Sequence, residues 1–459
     1  MTQKPLKHGG IHINMNMTLA ELFDDVPENF VSMEFPNHLA TDSRDVIEGG
    51  AFVALEGEKV DGHNYISQAV SNGAGLVIVR KGKNPGDLSV PVIELENPER
   101  DLAAIASKKL KAHNLDEIIG ITGSVGKTTT RAALQKVLSP HYKIHAPERS
   151  FNTLIGCTST IMAMPLETEI LILEFGANKP GEIRELTDYF PPTTAILTAV
   201  APVHLEGFGT VEGVLREKME ITTAPEIRKI IFNNDNEYLN EAFKYYVKSM
   251  GVGENKDSDF VISHDTSEYA LPAMSFVLAH RVSQEIARFT VNIWGKHNAV
   301  PLSLASAVGH ELNISLQECA DSLIDFQALT GRGRVIILDG GKKFLVDDAY
   351  NANPASMRAS LETFARVKCS GKIAVLGEMR ELGENSAMYH AELSPLLEGI
   401  DTVILVGEIW REALKGDYVF VDDWQKALDA LKNIPEWQGL LVKGSNSLGL
   451  SNIVKEIAE

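Results

Sequence analysis

Short continuous runs of apolar residues alternate with stretches of helical periodicity along most of the chain. Between residues 117 and 235 the runs are EIIGITG, EILILEFGA, TTAILTAV and KIIFNND, and between residues 343 and 445 they are KFLVDDA, KIAVLGE, DTVILVGE, YVFVDD and LLVKGS. Continuous runs of Val, Ile and Leu are typical of parallel strands buried on both faces. Because these strands alternate with helical segments, the pattern predicts doubly wound α/β units.

Two segments of different composition predict domain boundaries. The polar segment KKLKAHNLDE (108–117) precedes a strong new strand, and GRGR (331–334) precedes the segment VIILDGGKKFLVDD. At roughly 150 residues per domain, the 459 residues are expected to form about three domains. We therefore predict an amino-terminal domain over residues 1–112, a central domain over 113–332 and a carboxy-terminal domain over 333–459.

Composition and charge exclude several classes of protein. Hydrophobic residues make up 44% and charged residues 23% of the chain, as in ordinary globular proteins. Residues 1–17 lack the apolar core of a signal peptide, and no apolar run reaches the roughly 20 residues of a membrane helix. A formal charge of -19 argues against nucleic-acid binding but not against small anionic ligands. The three scattered cysteines form no disulfide or zinc pattern, so we expect buried thiols in a reducing cytoplasm.

The strongest local signal is EIIGITGSVGKTTTRAALQKVL, in which an apolar strand runs into a glycine loop and then into a helix. Such a loop presents backbone N–H groups beside the positive end of the helix, which suits a phosphate group. In a phosphate loop, Lys127 contacts the outer phosphates and the Thr128 hydroxyl ligates Mg²⁺. The predicted phosphate-binding residues are Gly123, Ser124, Val125, Gly126, Lys127, Thr128 and Thr129.

The match to the common phosphate-loop pattern is imperfect, because Ile121 stands where G-x-x-x-x-G-K-[ST] has its first glycine. The alternative is a glycine turn followed by a chance Lys-Thr pair. The helix after the loop places Ala133, Leu134, Val137 and Leu138 on one face, as 3.6-residue periodicity requires. Because the predicted strand precedes the glycine loop and the predicted helix follows it, we interpret the segment as a nucleotide phosphate loop.

Polar residues end several of the predicted strands. Glu174 ends EILILE, His204 follows TTAILTAV, Asp347 and Asp348 end KFLVDD, and Lys443 ends LLVK. In a parallel α/β sheet, ligands bind beyond the carboxyl ends of the strands. Oxygen ligands facing the Thr128 hydroxyl would suit Mg²⁺. Together these residues predict a nucleotide and metal site at one edge of a sheet.

Each of these residues also has a structural alternative. Glu174 would be a solvated strand end, and His204 a hydrogen-bonded loop histidine. The two aspartates (347–348) would belong to the cap of the following helix, for which Asn353 is the predicted N-cap.

Several ordered motifs resemble those of the Mur ligase family, over some 400 residues. TGSVGKTTT is similar to the family's form of the phosphate loop, which accounts for the mismatch at Ile121. The others are TDSRDVIEGGAFVALEGEKVDGHNYISQAVSNGA (41–74), EFGANKPGEI (174–183), PVHLEGFG (202–209), REKMEI (216–221), GKHNAVPLSLASA (295–307), GRGRV (331–335), DDAYNANPASMRASL (347–361), AVLGEMRELG (374–383) and LVKGSNS (441–447).

The resemblance implies a fold and a reaction. The implied fold has a smaller amino-terminal α/β domain, a central mostly parallel sheet of the phosphate-loop type with helices on both faces, and a Rossmann-like carboxy-terminal α/β domain. The implied reaction is ATP-dependent addition of D-alanyl-D-alanine to UDP-N-acetylmuramoyl-tripeptide through an acyl phosphate, in the cytoplasmic stage of peptidoglycan synthesis. We expect a monomer with no nucleic-acid partner. The alternatives are a sister ligase that adds a single amino acid and a catalytically silent protein that binds the UDP-muramoyl-peptide.

The resemblance also implies roles for individual residues. The expected cofactors are ATP and two Mg²⁺ ions, and the implied metal ligands are Thr128, Glu174, His204 and Lys218, with Lys218 carbamylated by CO₂. Without the motif, Lys218 reads as a solvent-facing helical lysine between two glutamates. Together with Lys127, the residues Glu174, His204 and Lys218 form the implied catalytic set. The nucleotide contacts implied beyond the loop are Asn298, Arg334, Asp348, Tyr350 and Asn351.

In the first domain, Ser43 and Arg44 match substrate-binding positions of the family, and Arg44 suits an anionic diphosphate. Asn152 and Thr153 are expected to contact the muramoyl-peptide, although Thr153 stands where the family pattern has a second asparagine. Two further departures are Lys179, where histidine is common, and the sequence SNSLGL, which lacks an arginine after KGS. The segment Asp61-Gly62-His63 reads either as part of this substrate site or as a turn.

Overall fold

The structure is a computed structural model that describes residues 17–24, 26–57, 60–264 and 274–458. Residues 1–16 lie outside the described residues. The prediction that residues 1–17 are not a signal peptide concerns mostly these residues. The chain divides into two compact units. The first comprises residues 1–116, 145–171 and 188–190, and the second comprises residues 117–144, 172–187 and 191–459.

Strands in the described residues are numbered in chain order. They are β1 Leu39–Ala40, β2 Ala51–Val53, β3 Leu76–Arg80, β4 Val92–Leu95, β5 Glu117–Thr122, β6 Ile144–His145, β7 Ile170–Phe175, β8 Thr194–Leu197, β9 Lys229–Asn233, β10 Ser249–Gly253, β11 Phe260–His264, β12 Met274–His280, β13 Ile286–Val291, β14 Arg334–Leu338, β15 Lys343–Asp348, β16 Lys372–Gly377, β17 Thr402–Val406, β18 Val419–Val421 and β19 Gly439–Lys443.

Helices are numbered in the same way. They are α1 Leu19–Leu22, α2 Ile66–Ser71, α3 Pro98–Ala112, α4 Lys127–Leu138, α5 Leu154–Met162, α6 Glu182–Tyr189, α7 Leu205–Phe208, α8 Val211–Met219, α9 Glu237–Phe243, α10 Ala299–Glu311, α11 Leu316–Ser322, α12 Pro354–Arg366, α13 Ser386–Ala391, α14 Ser394–Leu397, α15 Ile409–Ala413, α16 Trp424–Lys432 and α17 Ser451–Ala458.

The strands form three sheets, which confirm the predicted three-domain α/β architecture. The first sheet runs β1-β2-β3-β4 and is parallel throughout. The second runs β13-β12-β11-β10-β9-β8-β5-β7-β6, with antiparallel pairing where β12 joins β11 and β13. The third runs β14-β15-β19-β16-β17-β18 and is parallel except for the β14–β15 pair. The boundaries at residues 112 and 332 remain predictions.

Burial explains why the apolar runs became strands. All six residues of β7 are buried, as are all six of β16 and all five of β19. In the third sheet, Val346 packs into a core with α12, whereas its neighbour Leu345 packs into a second core with α16 and α17. Alternate strand residues therefore serve opposite faces, and helices cover both faces of this sheet.

Local sequence signals set the ends of key helices. The predicted N-cap Asn353 accepts a hydrogen bond from the Ser356 N–H at 2.9 Å, and Pro354 is the first helical residue of α12. In α4 the predicted apolar face is buried without exposure at Ala133, Leu134, Val137 and Leu138. No helix among the described residues is long and apolar enough to cross a membrane.

A buried lysine in the first unit gives a testable dependence of stability on pH. Lys109 of α3 is 5% exposed, and its ammonium group donates to the carbonyl of Met162 at the end of α5. Burial lowers the pKa of Lys109 to about 8. The unfolded chain therefore holds this proton up to a higher pH than the folded chain does, so the free energy of unfolding rises as the pH passes from about 8 toward 10.5.

We expect Lys109→Met to remove this contribution. The free energy of unfolding of the parent protein should rise relative to that of the variant between pH 8 and pH 10, on the order of 1–2 kcal/mol. Urea unfolding at both pH values measures the difference, and Lys108→Met on an exposed neighbour is the control. Equal pH dependence in the parent protein and Lys109→Met would contradict the prediction.

Candidate active site

The loop between β5 and α4 has the backbone conformation of a phosphate cradle. Gly126 has φ 86° and forms the N-cap of α4, and Gly123 has φ 146°. A Cβ atom on Gly123 would lie 2.0 Å from the Thr198 hydroxyl oxygen, so only glycine fits. The Thr198 hydroxyl lies within hydrogen-bond distance of the carbonyls of Thr122 and Val125, and the Ser124 N–H donates to the Ala199 carbonyl at 2.8 Å. The segment after β8 therefore holds the loop in shape.

Lys127 begins α4 and folds back over this loop. Its ammonium group donates to the carbonyl of Gly123. Burial lowers the pKa of Lys127 to about 8, and the nearby Glu174 carboxylate opposes that shift. A cation held at the mouth of a backbone N–H cradle is placed to neutralise the charge of a bound phosphate.

Glu174 is fully buried in β7 and faces the start of α4, so the solvated-strand-end alternative is wrong. One carboxylate oxygen accepts a hydrogen bond from the Thr128 hydroxyl at 3.1 Å. The other oxygen accepts from the guanidinium of Arg131 at 2.7 Å, and the Arg131 side chain is 5% exposed. The structure thus brings together the two predicted oxygen ligands, Thr128 and Glu174.

Arg131 was not singled out from the sequence. It lies four residues after Lys127, one turn along α4, and so faces the same strand end as Thr128. That spacing is the signal that would have found it. A buried carboxylate without a compensating charge is costly, and Arg131 supplies a positive charge beside Glu174.

Lys218 lies in α8 and is 2% exposed, which excludes the solvent-facing alternative. The neighbouring Glu217 carboxylate accepts the N–H groups of Gly181 and Ile183, at 2.7 and 2.6 Å, at the start of α6. The Lys218 ammonium group lies 5.9 Å from the centre of the Phe208 ring. Burial, with the charge of Lys127, lowers the pKa of Lys218 to about 7.

His204 occupies a strained turn after β8. It has φ 49° and precedes α7 as its N-cap residue. Its ring packs edge-on against Phe208 at 6.5 Å, so Phe208 lies beside both His204 and Lys218. Burial lowers the pKa of His204, and the charges of Lys218 and Lys127 act in the same direction. The ring Nδ1 atom forms a hydrogen bond with the carboxylate of Glu381, which lies in the loop after β16 of the third sheet.

A cavity of about 400 Å³ opens beside the phosphate loop, within the volume range of small-ligand pockets. It is lined by four of the predicted loop residues, Ser124, Val125, Gly126 and Thr129, and by the predicted contacts Asn298, Asp348 and Asn351. Arg332 lines it, whereas Arg334 and Tyr350 are not among its lining residues. Seven of the predicted nucleotide residues therefore meet in one cavity, whereas the loop residues Gly123, Lys127 and Thr128 are, like Arg334 and Tyr350, not among its lining residues.

Arg332, two residues before the predicted phosphate contact Arg334, lines the cavity. Its guanidinium lies 4.2 Å from the centre of the Tyr350 ring. The turn before it is held because the Gly331 N–H donates to the Asp347 carboxylate at 2.8 Å. Burial raises the pKa of Asp347, and the Gly331 N–H opposes that shift. Arg334 begins β14 and is exposed, so its role at the phosphates remains a prediction.

Asp348 and Asn351 belong to a buried polar network at the carboxyl end of β15. The Lys443 ammonium group lies 2.8 Å from the Asp348 carboxylate and donates to the Asn351 carbonyl at 3.0 Å. The Ser360 hydroxyl also donates to Asp348. Asp347 thus holds the turn at Gly331, and Asp348 belongs to this network. The residue that caps α12 is Asn353.

The part of the cavity lined by Asn298 also contains a histidine, His297, that sequence reasoning missed. Asn298 donates to the Trp294 carbonyl at 2.7 Å and lies 3.3 Å from the Nε2 atom of His297. The His297 Nδ1 atom is buried and has no hydrogen-bond partner among the described residues. Burial lowers the pKa of His297 to about 4, so its ring is neutral at physiological pH. The motif GKHN contained this residue, but nothing in the pattern set it apart.

The predicted muramoyl-peptide residues all lie in the first unit. Ser43 is buried and donates to the Gln68 side chain at 3.0 Å. Arg44 is 80% exposed and pairs with Asp42. Thr153 is the N-cap of α5, where its hydroxyl accepts the Gly156 N–H at 3.3 Å. Asn152 immediately precedes it, and the substrate roles of all four residues remain predictions.

A group of possible metal ligands in the first unit has a structural explanation. Among the described residues, Glu56, Asp61 and His63 bring their ligand atoms within 4.8 Å of one another. Asp61 caps the short helical turn Gly62–Tyr65, as the turn reading of this segment expected. Glu56 is paired with Lys83 at 2.9 Å and Arg80 at 3.3 Å, so its charge is already neutralised.

The fold and the site together define a class. A strand, a glycine loop and a helix form a phosphate cradle at the carboxyl edge of a mostly parallel sheet, beside a cavity that also contacts the third sheet. This is a three-domain α/β protein with a phosphate-loop nucleotide site.

Comparison with known proteins identifies the family. Three family profiles match consecutive parts of the chain: the Mur ligase family catalytic domain at residues 37–120, the Mur ligase middle domain at 121–309 and the Mur ligase glutamate ligase domain at 332–446. The chain belongs to the Mur ligase family.

Individual relatives match nearly the whole chain. The UDP-N-acetylmuramoyl-tripeptide–D-alanyl-D-alanine ligase of Bacillus subtilis is 30% identical, over 92% of this chain and 93% of the relative. The ligase of the same name from Escherichia coli is 28% identical, over 97% of this chain and 99% of the relative. The crystal structure of the MurF ligase of Thermotoga maritima in complex with ADP superposes with a TM-score of 0.78 and 26% identity, covering 92% of this chain and 97% of that chain. MurF from Acinetobacter baumannii superposes with a TM-score of 0.79 and 27% identity, covering 95% of each chain.

Proposed function

We propose that the protein is an ATP-dependent ligase that joins D-alanyl-D-alanine to UDP-N-acetylmuramoyl-tripeptide in peptidoglycan synthesis. The observation that carries this proposal is the match over more than nine-tenths of the length to ligases of that name. The residues that the reaction needs are also present: Lys127 at the phosphate loop, the buried Glu174, and Lys218 facing inward.

The reaction places strong demands on charge neutralisation. The terminal carboxylate of the tripeptide attacks the γ-phosphorus of ATP, forming an acyl phosphate and releasing ADP. The neutral amine of D-alanyl-D-alanine then attacks the acyl carbon, and phosphate leaves as the amide forms. Because the first step joins two anions, its rate depends on positioning and on groups that neutralise the phosphates. The loop N–H groups, Lys127 and Arg332 are the groups of this chain that serve that purpose.

The donor set fits magnesium. Thr128 and Glu174 supply oxygen atoms that already meet at 3.1 Å, and His204 lies near Lys218 around the Phe208 ring. We propose that Thr128 and Glu174 hold one Mg²⁺ and that His204 and Lys218 hold the second. Magnesium, when bound, supplies positive charge that polarises the phosphate oxygens.

Lys218 fits this role only after carbamylation. Carbamylation adds CO₂ to a neutral amine and releases a proton, which leaves a carbamate whose oxygen atoms suit a hard cation. A lysine with a pKa of about 7 is largely neutral at slightly alkaline pH, whereas an ordinary lysine is almost entirely protonated there. We therefore propose that Lys218 is the carbamylated residue.

Two further properties are part of the proposal. The enzyme acts as a monomer on small-molecule substrates, and it works in the cytoplasm, where ATP and the UDP-linked precursor are available. Cys157 and Cys319 are buried and Cys369 is half-buried, as expected of thiols in a reducing compartment.

An amine-dependence assay tests the function. Phosphate release is measured with ATP and UDP-N-acetylmuramoyl-tripeptide while only the amine is varied. We expect turnover with D-alanyl-D-alanine and not with D-alanine or other single amino acids. Turnover with a single amino acid would favour a sister ligase. No turnover with any amine, combined with tight binding of the UDP-peptide, would favour a silent binding protein.

A further inference from the structure

His204 is held by a segment 177 positions later in the chain. The Glu381 carboxylate bonds the ring Nδ1 of His204, and the Glu381 carbonyl accepts the Leu205 N–H at 2.9 Å. The second bond satisfies one of the exposed N–H groups at the start of α7. Side chain and backbone of one residue, Glu381, therefore fix both the ring and the turn that carries it.

Both contacting residues adopt a backbone conformation that side chains disfavour. His204 has φ 49° and Glu381 has φ 63°. Residues other than glycine rarely occupy this region, and they remain there only where the surrounding structure holds them. Strain on both sides of one contact is typical of a functional site.

The loop that carries Glu381 is anchored in the third sheet's domain. The Met379 N–H donates to the Nε2 atom of the buried His390 at 2.9 Å. The Ser445 hydroxyl donates to the Glu378 carbonyl at 2.8 Å, and Leu382 is buried in the core beside α12 and α13. Glu381 is therefore presented from a rigid base.

The contact determines which ring nitrogen of His204 is available. An ionised carboxylate can only accept a hydrogen bond, so the proton lies on Nδ1 and the Nε2 lone pair is left for a ligand. Histidines that bind metals usually donate their other N–H to a carboxylate or carbonyl in this manner. The other side of the His204 ring is set by Phe208, whose ring lies 6.5 Å from that of His204 and 5.9 Å from the Lys218 ammonium group.

We propose that Glu381 is a positioning residue, which sets the orientation and tautomer of His204 at the proposed His204–Lys218 metal site. The inference rests on the proposed function in one respect, the role of His204 as a metal ligand. Glu381 itself is placed to contact the histidine, while the substrates need not touch it.

The test uses the full-length protein with ADP and Mn²⁺ as the probe, with free Mn²⁺ counted by electron paramagnetic resonance. We expect Glu381→Ala to weaken Mn²⁺ binding by about 10- to 100-fold, the range found when such outer partners are removed. Glu381→Gln retains an oxygen acceptor and should recover most of the affinity. Glu384→Gln, which changes an exposed acid three positions on, is the matched control and should leave the affinity unchanged.

A second measurement does not depend on metal. Nitrogen-15 NMR of the ring should show the proton of His204 on Nδ1 in the parent protein and a mixture of tautomers in Glu381→Ala. Parent-like Mn²⁺ affinity in Glu381→Ala, or a proton on Nε2 in the parent protein, would overturn the proposal. Neither measurement uses the tripeptide or the dipeptide. If the amine assay failed, the Mn²⁺ affinity and the ring NMR spectrum would therefore still test the role of Glu381.

Discussion

Replacing Lys218 with alanine is expected to abolish ligase activity at normal protein stability. The side chain is 2% exposed, and no other ammonium group among the described residues contacts Phe208 beside His204. The carbamate of Lys218 would contribute oxygen atoms at the point where negative charge accumulates. Loss of one such preorganised electrostatic group costs roughly a hundredfold to a thousandfold in rate, and loss of a metal ligand costs more.

Chemical rescue separates this role from a structural one. Short carboxylates such as formate or acetate are small enough to enter the space left by the lysine side chain and can supply the missing oxygen atoms. Initial rates of phosphate release for Lys218→Ala should rise with carboxylate concentration. Lys179→Ala, on an exposed lysine of the neighbouring loop, should keep normal activity without rescue. Parent-like activity of Lys218→Ala without any additive would show that the carbamate assignment is wrong.

Lys127→Ala is expected to lower kcat by roughly a hundredfold or more, the scale of losing one charge aimed at the transition state. The lysine lies at the first turn of α4 against the loop carbonyl of Gly123, where phosphate oxygens would bind. Because the charge is needed most while the phosphoryl group is transferred, kcat should fall more than the affinity for ATP.

The control for this variant lies on the same helix. Lys136→Ala removes an exposed lysine that pairs with Asp325 at 3.1 Å, and it should keep activity. Steady-state phosphate release gives kcat, and calorimetric titration with ADP gives nucleotide affinity. Near-normal kcat in Lys127→Ala would remove the phosphate-loop assignment. Added carboxylates should not rescue this variant, which distinguishes it from Lys218→Ala.

Much of the fold was predictable from the pattern of residues along the chain. The apolar runs became buried strands, the glycine segment became a loop between β5 and α4, and Asn353 caps α12. These features depend on interactions between residues close in sequence: periodic burial, glycine conformations and a capping side chain. The Mur ligase motifs added the roles of Thr128, Glu174 and Asn298, whose side chains the structure places beside the loop or the cavity.

Other features could not be predicted because they depend on segments far apart in the chain. Helix α8, which carries the buried Lys218, is joined through the adjacent Glu217 carboxylate to the start of α6, some 35 residues earlier. The presence of Arg332 in the cavity lining is another such feature, because Arg334 pairs with Asp347 across the sheet and Arg332 lies in the preceding turn. Arg131 matters only because β7 lies beside β5 in the sheet and brings Glu174 to it.

The division between the two kinds of information has a physical basis. Periodicity, glycines and caps act within a few residues, so the amino-acid order alone encodes the strands, the phosphate loop and the helix ends. The environment of an ionisable side chain depends on which distant segments pack around it. Burial of Lys218, the Arg131–Glu174 pair and the hold of Glu381 on His204 therefore emerge only in the tertiary structure, since they depend on groups brought together from different elements.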